Sequence, residues 1–82
     1  MDSSMLDSCQ IGMARAALGW SISELSRRSS VSISTIKRLE SQNGLSNATA
    51  ANIRLIRETL EAAGIEFIGA PDDGPGVRLW RK

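Results

Sequence analysis

The sequence predicts a mainly α fold of four or five short helices, followed by a C-terminal β-hairpin. Three observations carry that prediction. Up to Gly64, apolar residues recur three and four apart, which is helix spacing. Serines stand where two of those patterns begin. After Gly64 the pattern gives way to two short runs rich in β-branched and aromatic residues, separated by a Pro/Gly loop.

Residues 1–7 carry no periodic pattern and read as frayed. A first helix runs from about Ser8 to Leu18, with Ile11, Ala14 and Leu18 on one face and Gly19 as its stop. Cys9 falls on that helix as a half-buried residue. Trp20 reads as a core plug rather than an exposed stacking platform. Ser21 and Glu24 then form a capping box for a second helix. Ile22, Leu25 and Ser26 share its inward stripe, and Arg27 and Arg28 turn outward.

Ser29 and Ser30 make a tight turn, and a serine held there at positive φ costs on the order of 1 kcal/mol relative to glycine. Val31 plugs the angle between the helices, and Ser32 starts a third helix. Ile36 and Leu39 anchor one face of it. That leaves Ser32, Ser34, Thr35, Lys37 and Arg38 on or near the outer face.

Ser41 to Gly44 is a turn, after which Ser46 or Asn47 caps a longer helix from about Ala48 to Ala63. Ile53, Ile56, Leu60 and Ala63 recur along it, and Gly64 closes it. The strands are Ile65–Ile68 and Val77–Trp80, around a loop holding Pro71, Asp72, Asp73 and Pro75. A lone two-stranded hairpin is barely stable in water, so it must lie on the helices or pair with a second copy. Phe67, Val77, Leu79 and Trp80 exceed what a small helical body easily covers, so residues 65–82 are expected to contribute to dimerisation. Residues 1–64 and this hairpin form one compact unit.

Two helices joined by a tight turn, the second presenting hydrogen-bonding groups, is the helix-turn-helix arrangement that sets an α-helix in a DNA major groove. The chain resembles the lambda repressor/Cro (XRE) class of such proteins. The matching residues are Glu24-Leu25-Ser26, Val31-Ser32, Ile36 and Arg38-Leu39-Glu40, and the likeness covers roughly residues 10–62. It departs from the family at Ile22, where many members carry glutamine, and at Ser29-Ser30, where many carry glycine. The resemblance implies a lambda-repressor-like domain in a bacterial DNA-binding transcriptional regulator, of which a repressor is the familiar form. It also implies an ion pair between Arg15 and Glu40 that is structural, not catalytic.

Base-edge contact falls to Ser34, Thr35 and Arg38, because arginine bonds guanine in two places and hydroxyls serve several base edges. Ser32, at the helix N-terminus, is placed for phosphate or serves only as a cap. Lys37 reaches base or phosphate, or is simply solvated. Ile33 meets a thymine methyl or packs at the helix start. Arg27 and Arg28 are phosphate contacts or a solvated face, and Asn43 in the following turn completes the candidate set. One recognition helix reads too few base pairs to specify a genomic site, so a homodimer on a two-fold symmetric operator of double-stranded DNA is expected.

Composition fits these readings. The chain has 82 residues, 41% hydrophobic and 23% charged, enough for one small domain. Net charge is only +1, but residues 21–45 set four cations against two carboxylates, a local +2. That patch predicts salt-dependent binding without high nonspecific affinity. With no histidine, one cysteine and no carboxylate pair beyond the loop's Asp72-Asp73, the chain offers no nucleophile–base set. It offers no metal site either, so no enzyme activity and no cofactor are expected. No apolar run reaches the ~20 residues a membrane span needs, and the N-terminus lacks signal-peptide order. The expected location is the cytoplasm. The rival reading is a protein-binding module of the same fold, an antitoxin or anti-activator, which the near-neutral charge and Ile22 favour.

Overall fold

A computed structural model of the chain describes residues 6, 8–41, 49–69 and 72–80. Among these it holds four helices, α1 (Ser8–Leu18), α2 (Ile22–Ser29), α3 (Ile33–Glu40) and α4 (Ala50–Ala62). An antiparallel hairpin follows, of β1 (Ile65–Ile68) and β2 (Gly76–Leu79).

Local chemistry sets most boundaries. Gly19, at φ 71°, ends α1, and the Trp20 amide donates back to the Arg15 carbonyl at 2.9 Å. Ser21 caps α2 by accepting from the Glu24 amide at 3.0 Å. The expected capping box is only half present: the Glu24 carboxylate turns to Arg27 and Arg28 instead of back to Ser21. At the other end Ser30 takes the left-handed conformation, φ 65°, and its amide donates to the Ser26 carbonyl at 2.9 Å. Ser29 tucks inside and accepts from the Val31 amide at 3.2 Å, which fixes the turn without a glycine.

Ser32 caps α3 through the Thr35 amide at 3.2 Å. The start of α4 differs from expectation. Thr49 is the cap, accepting from the Asn52 amide at 3.2 Å, and the helix begins at Ala50 and ends at Ala62, with Ala63 as its C-cap. Ser46, Asn47 and Ala48 lie outside the described residues.

The core is one cluster to which every described element but β2 contributes a buried side chain. Ile11 and Ala14 come from α1, Leu25 from α2, Ile36 and Leu39 from α3, Ile56 and Leu60 from α4, and Ile65 from β1. Val31 fills the angle between α2 and α3, as its position predicts. Each Val, Leu or Ile side chain among them contributes about 1.5–3 kcal/mol by leaving water. Two expectations at the N-terminus are corrected. Leu6, in a segment read as frayed, is buried. Cys9 is exposed, and its neighbour Gln10 is the buried residue.

The hairpin lies across α1 and α4. Its register pairs Ile65 with Leu79 and Phe67 with Val77, and these four line the face packed on the core. Trp80, expected within the second strand, lies just past it, its amide donating to the Gly64 carbonyl at 2.8 Å. Gly64 sits at φ 107°, and a Cβ there would come within 2.6 Å of the Trp80 carbonyl oxygen, so this junction requires glycine. Gln10 fastens the open end of the ladder. Its fully buried side-chain amide donates to the Ile68 carbonyl at 3.0 Å and to the Gly76 carbonyl at 2.8 Å, the last facing pair.

Candidate nucleic-acid interface

Helical spacing divides α3 into two faces. Ile36 and Leu39 enter the core, and Ser34, Lys37 and Arg38 lie opposite, exposed. Ile33 joins the outer side at the N-terminal end, 42% exposed and therefore free for contact rather than packed away.

The hydroxyls at the start of α3 form a small network. Ser32 Oγ accepts from the Thr35 amide, donates to Thr35 Oγ1 at 2.8 Å, and lies 3.4 Å from Ser34 Oγ. Thr35 is half-buried, so its hydroxyl belongs more to the cap than to the open face. Ser34 keeps the outward position. The positive end of the helix dipole adds attraction for an anion there.

The cations divide in an informative way. Among the eight described Lys and Arg residues, five are in salt bridges: Arg15, Arg27, Arg28, Arg57 and Arg78. Lys37, Arg38 and Arg54 have no ion-pair partner among the described residues. Two of those three are on the outer face of α3. Arg27 and Arg28 instead share the Glu24 carboxylate. Hydrogen bonds from Arg28, then from Arg27, hold that carboxyl below its usual range. Arg28 also stacks over the Trp20 ring, 4.5 Å from its centre. Trp20 packs against the core on its other side, as a plug would. Asn43 lies outside the described residues.

Behind the interface, Arg15 on α1 grips Glu40 at the end of α3, as the family resemblance implies. Arg15 Nη1 also donates to the Trp20 carbonyl at 3.1 Å, so one guanidinium ties α1, the α1–α2 junction and α3 together. The hydrogen bond to Glu40 raises the Arg15 pKa above its ordinary value, against the opposing effect of partial burial. This clamp sets how α3 is presented.

Two supporting interactions escaped the sequence reading. The Ser29 hydroxyl that locks the turn had a local signal, because serine commonly bonds the amide two residues on. The Trp20–Arg28 stack had none, since it depends on how α2 packs. Among the described residues no group of His, Cys, Asp or Glu could hold a metal ion. No described helix is long and apolar enough to cross a membrane.

A family model described as helix-turn-helix matches residues 11–64, the span that holds all four helices apart from the first turn of α1. No curated protein and no solved structure matches the chain.

Proposed function

The chain belongs to the lambda repressor/Cro-like (XRE) family of helix-turn-helix proteins, and on that premise we propose that it is a sequence-specific transcriptional regulator acting as a homodimer on a two-fold symmetric operator. The observation that carries this reading is the outer face of α3. Ser34, Lys37 and Arg38 stand exposed there, and neither cation has an ion-pair partner among the described residues.

In this reading α3 lies in the major groove. Arg38 bonds guanine O6 and N7 in the two-point geometry of a guanidinium. Ser34 serves a base edge, Ile33 meets a thymine methyl, and Lys37 reaches a phosphate or a base. Ser32 and Thr35 hold the helix start, with Ser32 closest to the backbone. Arg27 and Arg28, already shared with Glu24, make the weaker phosphate contacts. Two copies set their α3 helices about 34 Å apart, in successive major grooves. The regulator works in a bacterial cytoplasm as a repressor, by occupying its site.

Selection of bound sequences from a random DNA pool is the test. Enrichment of an inverted repeat, with affinity falling steeply as salt rises, is expected. A pool that stays random, with retention on heparin independent of salt, would instead support the second reading, a module that binds another protein. That reading draws on the net charge of only +1 and on the engagement of Arg27 and Arg28 by Glu24.

A further inference from the structure

We infer that two copies of this chain meet through the solvent face of α4, with their α4 helices antiparallel. The inference rests on the dimeric function proposed above and assigns its interface.

The buried side of α4 is Ile53, Ile56 and Leu60. Directly opposite run Ala51, Leu55, Glu58 and Ala62, spaced four, three and four, so they form one continuous stripe. Leu55, near the middle of the helix, is 41% exposed. The two alanines are small enough to let another helix approach closely.

The charges beside Leu55 are the second observation. Arg57 and Glu61 on this helix form an i,i+4 pair at 3.0 Å. Arg54 and Glu58 have the same spacing, both are exposed, and neither has a partner among the described residues. A two-fold axis passing beside Leu55 makes this arrangement self-complementary. The axis lies level with residue 56, so it sets Arg54 of each chain against Glu58 of the other, brings the two Leu55 side chains side by side across it, and places Ala51 near Ala62 at both ends. Such an isologous contact closes at two copies.

The third observation is shape. An open cleft of about 440 Å³ lies at the C-terminal end of this stripe, lined by Trp20, Arg28, Glu58, Thr59, Ala62 and Ala63. In the antiparallel pairing it faces the first turns of the other α4. The incoming Arg54 then finds both the Glu58 carboxylate and space beside the Trp20 ring.

The hairpin offers less. Phe67, Val77 and Leu79 are packed on the core of their own chain. On the outer face, the Trp80 indole donates to Glu66 at 2.7 Å, and Arg78 stacks over its ring at 5.5 Å.

Sedimentation equilibrium of the full chain across micromolar concentrations tests the inference, with circular dichroism confirming the fold of each variant. Arg54→Glu and Glu58→Arg each place like charges in contact and should weaken the dimer by on the order of tenfold or more. The double variant should restore it, and Trp80→Ala should leave it unchanged. A monomeric parent chain, single reversals without effect, a double variant that stays dissociated, or loss of dimers in Trp80→Ala would each overturn it. Titration with half-site DNA separates this from the DNA-binding reading. Monomers of Arg54→Glu should still bind a half-site in an Arg38-dependent way, and Arg38→Ala should lose DNA while keeping the dimer.

Discussion

Arg15 and Glu40 meet as a two-point pair across the α1–α3 contact, with Nε 2.7 Å from Oε2 and Nη2 2.9 Å from Oε1. Their side chains keep 22% and 16% exposure, so water screens the pair in part. Its loss therefore costs less than the roughly 3–5 kcal/mol typical of breaking a fully buried pair. Charged hydrogen bonds of this kind are worth about 1.5–3 kcal/mol. Glu40→Ala should lower Tm by about 4–8 °C for each kcal/mol lost in a domain of this size. Scanning calorimetry reads it, and an unchanged Tm would mean the clamp adds nothing to stability.

Arg38→Ala should weaken specific operator binding by about 1–3 kcal/mol and relax preference at one base position. Lys37→Ala should act differently if it holds phosphate. Affinity would then fall on all sequences alike, with the salt slope smaller by about 1. Competition binding at several salt concentrations distinguishes the two, and unchanged affinity and preference in Arg38→Ala would remove it as a reader.

Gln10→Leu keeps bulk but removes both donors from the Ile68 and Gly76 carbonyls. Leaving acceptors unsatisfied costs about 1–3 kcal/mol. The loss should be local first. Hydrogen exchange should quicken at the β1 and β2 amides before it does in α3, and uniform exchange rates would show that the clamp is not what seats the hairpin.

Glu24 gives a pH signature of definite sign. Hydrogen bonds from Arg28 and Arg27 depress its folded pKa below its unfolded value. A depressed carboxyl adds stability above the unfolded value, about 4.3 for glutamate, and that contribution is lost as pH falls through the folded one. Glu24→Gln should therefore flatten the acid side of the stability curve below about pH 4.3 and change little near neutrality. The effect is small because the group is solvated. A Glu24→Gln curve parallel to the parent's across that range would refute the assignment.

What the sequence made legible follows from range. Ser21, Ser32 and Gly19 act through bonds to residues a few positions away, so their helix ends and the left-handed turn at Ser29-Ser30 could be read locally. The start of α4 could not. Ser46, Asn47 and Thr49 are all competent caps, and no local signal in the sequence separates them. Neither could the exchange of Cys9 for Gln10 as the buried residue. Gln10 is held by carbonyls 58 and 66 positions away, and nothing in its neighbourhood announces them. The outer face of α3 was legible as a list because Ile36 and Leu39 fix its phase. The division between Lys37 and Arg38, which have no ion-pair partner among the described residues, and the engaged Arg27 and Arg28 needed the fold.

The reach of Gln10 also sets a timetable. Its amide waits for the Gly76 carbonyl, made 66 residues later, and ribosomes add about 5–20 residues per second, so the wait is roughly 3–13 s. Through that interval the face of α1 that the hairpin will cover stays open to water. The nascent chain can shape its helices early, but it cannot seal them until translation has passed β2. Anything that slows elongation through the stretch between Gly64 and Gly76 extends the time during which that apolar face is open to chaperones and proteases.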